Sequence, residues 1–201
     1  MFTGIITNLG TVTELKSNPK KDLLIKISAI KSQIKRKLEI GCSIACNGIC
    51  LTLVEKKIIK GKVILSFQAS KETIDKTNLK SWKIGQIINL EFSMRLGDEL
   101  GGHMVLGHVD GTAKISKITK IKDSHEFVFE AQKNLMNFIV KKGSITINGT
   151  SLTVNEISKN SFSVNLIPHT INNTSFKNSA AGDLVNLEID VIARYLKQLI
   201  K

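Results

Sequence analysis

The sequence predicts an all-β protein of two small closed barrels in tandem, with a short α-helix at the C-terminal end. Three observations predict it. The chain repeats itself once, its locally apolar segments have strand rather than helix character, and each half holds one Asn-Gly turn between apolar runs. Its 201 residues leave room for two domains of about 100 residues each.

The repeat carries most of the weight. Residues 41–55, GCSIACNGICLTLVE, lie over residues 142–156, KGSITINGTSLTVNE, at an offset of 101 with seven of fifteen positions identical. Chance gives about one. Residues 71–92 lie over 168–189 at an offset of 97 with eight of twenty-two identical. The four missing residues fall where Lys60-Gly61 faces Lys159-Asn160, a predicted hairpin tip, and such tips tolerate insertions. A looser echo sets Thr3-Gly4-Ile5 and Gly10-Thr11-Val12 against Leu106-Gly107-His108 and Gly111-Thr112-Ala113. Domains over residues 1–96 and 97–189, with a tail over 190–201, follow from these matches.

Within each half, short β-branched runs bounded by turn residues predict strands at 23–27, 63–67 and 162–166. Residues 28–38 predict a helical turn or two. Asn47-Gly48 and Asn148-Gly149 are strong hairpin signals of the type I′ class. A two-residue turn there pairs Cys46 with Ile49, Ala45 with Cys50, Ile44 with Leu51 and Ser43 with Thr52. Because side chains alternate along a strand, Ile44, Cys46, Ile49, Leu51 and Leu53 form an apolar core face, while Ser43, Ala45, Cys50 and Thr52 line the other. The second half repeats this with Ser144, Thr146, Ser151 and Thr153. A strip of small hydroxyl and thiol side chains, present twice, suits the floor of a site for a polar ligand. In the tail, Asp190 suits an N-cap, and Ile192, Leu196 and Leu199 follow at helical spacing. So short a helix needs a partner, either its own barrels or the equivalent helices of an oligomer, and the oligomer is the expectation.

Composition narrows the function. The net charge of +12 comes from 26 lysines and three arginines, Arg36, Arg95 and Arg194, with 28 isoleucines beside them. That is the signature of an AT-rich coding sequence more than of a nucleic-acid reader, which favours the planar guanidinium and aromatic stacking platforms. No apolar run approaches the roughly 20 residues of a membrane span, and the first residues lack a signal peptide's basic flank, so the chain reads as cytoplasmic, binding neither nucleic acid nor membrane. Cys42, Cys46 and Cys50 are too few for a disulfide framework and lack the paired spacing of a zinc knuckle. His103 and His108 stand five apart, on opposite faces of any strand that holds both.

Together the N-terminal MFTGI, GCSIACNGICLTLV, KETIDKTNL, GGHMVLGHVDG, KGSITINGTSLTV and LIPHT resemble, in order and over nearly the whole chain, the riboflavin synthase family of the homotrimeric α-chain type. The resemblance implies two six-stranded antiparallel Greek-key barrels and trimerisation through the C-terminal helix. It implies a transferase that closes riboflavin biosynthesis without cofactor or metal. Two molecules of 6,7-dimethyl-8-ribityllumazine exchange a four-carbon unit, giving riboflavin and 5-amino-6-ribitylamino-2,4-pyrimidinedione. Carried over by position, one pocket uses Gly4, Ile5 and Ile6 with Cys50, Leu51 and Thr52 and with Gln68, Ala69, Ser70, Lys71, Glu72 and Thr73. The other uses Gly107, His108 and Val109 with Lys142, with Ser151, Leu152 and Thr153, and with Leu166, Ile167, Pro168, His169, Thr170 and Ile171. Phe2, Ser43, Cys50 and His108 match the positions tied to catalysis. His108 suits acid–base work, Cys50 or a water beside it with Ser43 suits nucleophilic addition, and Phe2 suits packing against the ring. Alignment of two substrates could equally supply most of the rate. A non-catalytic lumazine carrier on the same barrels is the nearest rival, and retention of the small polar strip in both halves with Cys50 and His108 favours the enzyme.

Overall fold

The computed structural model describes residues 1–18 and 22–200, so Lys201 at the end of the tail lies outside the described residues. Twelve strands form two closed antiparallel barrels. The first contains β1 (Asn8–Ser17), β2 (Leu23–Ile30), β3 (Ser43–Cys46), β4 (Ile49–Ile59), β5 (Lys62–Ala69) and β6 (Ile87–Phe92). The second contains β7 (Gly111–Ile121), β8 (Ser124–Ala131), β9 (Ser144–Ile147), β10 (Thr150–Ile157), β11 (Ser161–Leu166) and β12 (Leu184–Ile189). Around the first barrel the order is β1-β2-β5-β4-β3-β6, and around the second it is the same order six strands on. Short helices α1 (Lys71–Lys76), α2 (Lys133–Met136) and α3 (Pro168–Asn173) sit in the connections, and α4 (Val191–Leu199) ends the chain.

The two predicted hairpins form in the predicted register, with Ala45 opposite Cys50 and Thr146 opposite Ser151. Asn47 and Gly48 have φ of 46° and 79°, and Asn148 and Gly149 have 46° and 81°. Positive φ at both central residues is what a type I′ turn requires. Lys60-Gly61 is indeed a hairpin tip, between β4 and β5. The predicted core face is buried, with Ile44, Cys46 and Leu53 fully enclosed. Burial pushes the Cys46 thiol well up, so it is an inert core group. Bulges recur at twin positions, after Val12 and Ile115 and after Leu53 and Val154, and bend the long strands so that each sheet closes on itself.

Two expectations change. Residues 28–30 continue β2, and only Lys31–Gln33 form a single 3-10 turn. Strand pairing overrides the weak local preference there, since Ser28, Ala29 and Ile30 each face a β5 residue. The echo between the two leading segments holds at 103 throughout. Thr7 N donates to Leu90 O and Asp110 N to Leu187 O, while Val12 N donates to Gln86 O and Ile115 N to Asp183 O. Gly10 is therefore the twin of Ala113, not of Gly111.

Four buried asparagines join the barrels along a local twofold axis. The Asn89 amide accepts at Oδ1 from Ser175 N at 2.6 Å and donates from Nδ2 to Asn148 O at 2.8 Å. Asn186 mirrors it, accepting from Asn78 N at 2.7 Å and donating to Asn47 O at 2.9 Å. The Oδ1 atoms of Asn47 and Asn148 take the backbone N–H of Asn89 and Asn186 at 2.7 and 2.8 Å. The two hairpin tips meet on this axis. A side chain on Gly48 would stand 2.7 Å from Gly149 N, so no larger residue fits there.

At the C-terminal end, the Asp190 carboxylate caps α4 by accepting from Ile192 N at 2.9 Å, as expected. Val191 is buried, Ala193 packs against the core of the second barrel, and Lys197 Nζ lies 4.1 Å over the Phe138 ring. Ile192, Leu196 and Leu199 remain 55%, 51% and 79% exposed, so the chain's own barrels do not cover the stripe.

Candidate active site

On the outer face of the first barrel, Cys50, Ala45 and Glu91 stand in one row across β4, β3 and β6. Ser151, Thr146 and Glu188 form the same row across β10, β9 and β12. Directly opposed residues point to the same side, so each row is a ready-made seat. Two leading segments cross over these seats, residues 1–6 ahead of β1 and residues 102–109 ahead of β7. They run antiparallel to each other: Phe2 N donates to Val105 O at 2.7 Å, and Val105 N donates back to Phe2 O at 3.1 Å.

A glutamate ties each leader to its own barrel. The Glu91 carboxylate accepts from Thr3 N at 2.6 Å, Thr3 Oγ1 at 2.7 Å and Gly4 N at 3.0 Å. Glu188 accepts from Leu106 N at 2.8 Å and Gly107 N at 2.9 Å. Both glutamates are 3% exposed. Burial pushes their carboxyl groups up, and the N–H donors pull the other way.

The carbonyls then reach across. Gly107 O accepts from Cys50 N at 2.9 Å, whereas Gly4 O accepts from Ser151 N at 2.8 Å. This exchanges the pocket partners expected from sequence, which placed Gly4, Ile5 and Ile6 with Cys50, and Gly107, His108 and Val109 with Ser151. The reason is the crossing of the leaders: each is anchored on its own barrel and laid on the other's hairpin. Both glycines are left-handed, at φ of 77° and 78°, and a Cβ on Gly4 would stand 2.5 Å from Ser151 Cβ and one on Gly107 2.6 Å from Cys50 Cβ. Only glycine permits that approach.

The remaining expected residues lie on the strands and connections beside these rows. Leu53 pairs with Phe67, so one step on, Cys50, Leu51 and Thr52 run beside Gln68 and Ala69, where β5 passes into α1. Ser70 caps α1, accepting from Thr73 N at 3.3 Å, and Lys71 and Glu72 are exposed in its first turn. Val154 pairs with Val164, which sets Leu152 and Thr153 beside Leu166, followed by Ile167 and the start of α3 at Pro168, His169, Thr170 and Ile171. Ser43 is half-buried beside Thr52, and His108 and Ile5 are exposed at twin positions, each one residue beyond its glycine. Lys142 has φ 65° where its twin Gly41 has 91°, a left-handed position that costs an L-residue about 1 kcal/mol.

The polar strip is less open than the sequence suggests. Phe2, fully buried, covers Ala45 and packs on Cys50, so it supports the seat from below and shows no face to a ligand. His103 takes the matching place in the second half, with Nδ1 2.7 Å from Ser151 Oγ and Nε2 3.0 Å from Thr146 Oγ1. Burial lowers its pKa below the usual 6.5, favouring the neutral ring. Residues 102–109 are not a strand, apart from the isolated bridge at Val105, so strand alternation does not govern His103 and His108. Three residues that build these rows are not among the site residues expected from sequence: Glu91, Glu188 and His103, the last noted there only for its spacing from His108. The two glutamates were visible as one of the identities within the repeat; His103 has no twin there and left no such signal.

Comparison with known proteins fits this geometry. The lumazine binding domain description matches residues 3–93 and again 106–190. The chain is 44% identical over 201 residues to the riboflavin synthase of Brucella abortus (strain 2308), spanning 99% of this chain and 98% of that one. It is 38% identical over 191 residues to the riboflavin synthase of Escherichia coli (strain K12), spanning 94% and 87%. The crystal structure of LumP complexed with 6,7-dimethyl-8-(1'-D-ribityl) lumazine superposes with a TM-score of 0.81 at 25% identity, covering 94% of this chain and 99% of that one. Two lumazine-binding domains in one chain, each seated against the other's leader, define the class of protein. Within that class the chain belongs to the riboflavin synthase family, which are transferases.

Proposed function

We infer that the chain dismutates two molecules of 6,7-dimethyl-8-ribityllumazine, one moving a four-carbon unit to the other, to give riboflavin and 5-amino-6-ribitylamino-2,4-pyrimidinedione. The observation that carries this reading is the doubled seat: two like substrates need two like pockets, and holding both supplies the proximity that a bimolecular carbon transfer requires. One pocket lies on the first barrel, between Cys50, Leu51 and Thr52, the 68–73 segment and Gly107, His108 and Val109. The other lies on the second, between Ser151, Leu152 and Thr153, the 166–171 segment and Gly4, Ile5 and Ile6. Lys142, held in a strained backbone position, belongs to the binding set, since such strain concentrates at functional sites.

In this reading His108 moves the proton of the acidified methyl group. Its imidazole is exposed and its backbone is fixed beside Glu188 and Cys50. Cys50, or a water between it and Ser43, adds to the partner ring. Domains over 1–96 and 97–189 each hold one substrate, and the exposed stripe of α4 joins three copies into a trimer in the cytoplasm, with neither nucleic acid nor membrane as a partner. No helix among the described residues is long and apolar enough to cross a membrane.

The test is to incubate the purified chain with the lumazine alone and follow riboflavin by absorbance and fluorescence. One riboflavin for every two lumazines consumed, with no added cofactor, is the expected result. Tight binding without turnover transfers the chain to the carrier reading. Near-normal rates in both His108→Ala and Cys50→Ala overturn the base-and-nucleophile roles and leave alignment as the source of the rate.

A further inference from the structure

The twin positions Thr7 and Asp110 differ in a way that exposes a second site. In the second half, the Asp110 carboxylate is gripped by Arg194 Nη2 at 2.9 and 2.8 Å and also accepts from Ile189 N at 2.8 Å. The start of α4 closes over that pair. In the first half a hydroxyl stands where the carboxylate would be, and the chain after β6 turns at 96–97 instead of forming a helix. What remains is a cleft of 430 Å³ against Thr7, Asn8, Gln33, Lys35, Arg36 and Arg95.

Two of the chain's three arginines therefore meet at the place where the third, in the other half, holds a carboxylate. Arg36 is fixed in position: Nη1 donates to Ser93 O at 2.5 Å, and its guanidinium lies 5.8 Å over the Phe92 ring. Its one carboxylate, Asp98, stands at 3.5 Å and is 43% exposed, too distant and too solvated to neutralise the cleft. Among the described residues no carboxylate lies within 4.0 Å of the Arg95 or Lys35 side chains. Arg36 is half-buried in the lining of the cleft, and Arg95 and Lys35 line it from exposed positions beside the buried Asn8; two guanidinium groups converging on one cleft can read an oxyanion bidentately.

We propose that this cleft binds a phosphate monoester on a small polar molecule, its phosphate taking the place that the Asp110 carboxylate fills in the other half. The volume exceeds what inorganic phosphate alone fills and falls in the range of small-ligand clefts. Neither substrate nor products of the proposed reaction carry a phosphate, so this is a separate site, and its test does not depend on turnover.

Titration calorimetry on the full chain at low ionic strength, with inorganic phosphate, ribose 5-phosphate and ribose as probes, decides the matter. Ribose 5-phosphate is expected to bind more tightly than phosphate, and ribose not at all. Arg95→Gln should weaken binding by about tenfold or more, the loss of one charge-assisted contact. Thr7→Asp, which restores the twin's own carboxylate, should abolish it with thermal unfolding unchanged or raised, whereas Lys57→Gln on the exposed stretch of β4 should bind as the parent does. Equal binding by Arg95→Gln and the parent, or by Thr7→Asp and the parent, overturns the proposal. So does an absence of phosphate binding combined with a change of oligomeric mass in Arg95→Glu, which would assign the cleft to a carboxylate of a second copy.

Discussion

The two seats share one backbone design and differ in what fills it. Over the first, Phe2 lies on Ala45 and Cys50, an apolar cushion beneath a thiol. Over the second, His103 lies on Thr146 and Ser151, with both ring nitrogens in hydrogen bonds to hydroxyls. The clamping glutamates, the left-handed glycines, the Asn-Gly tips and the strand bulges are the same in both. Duplication has thus kept what fixes the leaders and varied what lies beneath the ligand. Backbone geometry makes the pair of pockets, and a few side chains make them unequal, which suits a reaction whose two identical substrates play different parts.

The comparison can be broken at the shared elements. Asn89→Ala and Asn186→Ala should each cost about 2–4 kcal/mol in urea unfolding, since each strands two buried backbone partners. Nearly equal losses are expected. If one variant were neutral, the twofold account of the junction would fail. Gly107→Ala and Gly4→Ala come next, at about 1–3 kcal/mol for a Cβ forced into left-handed backbone and close contact. Their sharper readout is lumazine stoichiometry. Gly107→Ala should lose the Cys50 pocket and Gly4→Ala the Ser151 pocket, each leaving the other binding step; loss of the opposite pocket would restore the pairing read from sequence.

The smallest effect concerns pH and belongs to one half alone. His103 has its pKa lowered by burial, so the folded state takes up its proton later than the unfolded chain does. Its contribution to stability is complete above the ordinary value of 6.5 and is lost as pH falls through the folded value. Glu91 and Glu188 shift the other way, so their contribution is complete below the ordinary 4.5 and is lost as pH rises through their folded values. His103→Gln keeps hydrogen-bonding capacity without the titration. Thermal unfolding should therefore fall less for this variant than for the parent as pH drops below 6.5. Parallel curves would remove the imidazole from the account.

Local chemistry was legible in the sequence. The Asn47-Gly48 and Asn148-Gly149 turns, the register of both hairpins, the core face through Cys46 and Leu53, and the Asp190 cap all follow from neighbours within a few residues. What the sequence hid is relational. Glu91 and Glu188 look like polar strand residues until the leaders are laid against them, and nothing within either half shows that Gly4 belongs with Ser151 and Gly107 with Cys50. Residues 28–30 were misread because pairing with β5 decides them. His103 escaped because five-residue spacing on a supposed strand says nothing about a segment that is not one.

The crossing of the leaders also bears on synthesis. Gly4 leaves the ribosome well before the N–H that its carbonyl meets, which belongs to Ser151, 147 positions later (151 − 4). At the usual 5–20 residues per second that is a wait of roughly 7–30 s. The first barrel can close in that interval, but its own pocket needs Gly107 and the other needs Gly4. The first leader is thus among the last parts to be seated: a nascent chain can finish the Cys50 pocket only once Gly107 has emerged, and the other only once Ser151 has.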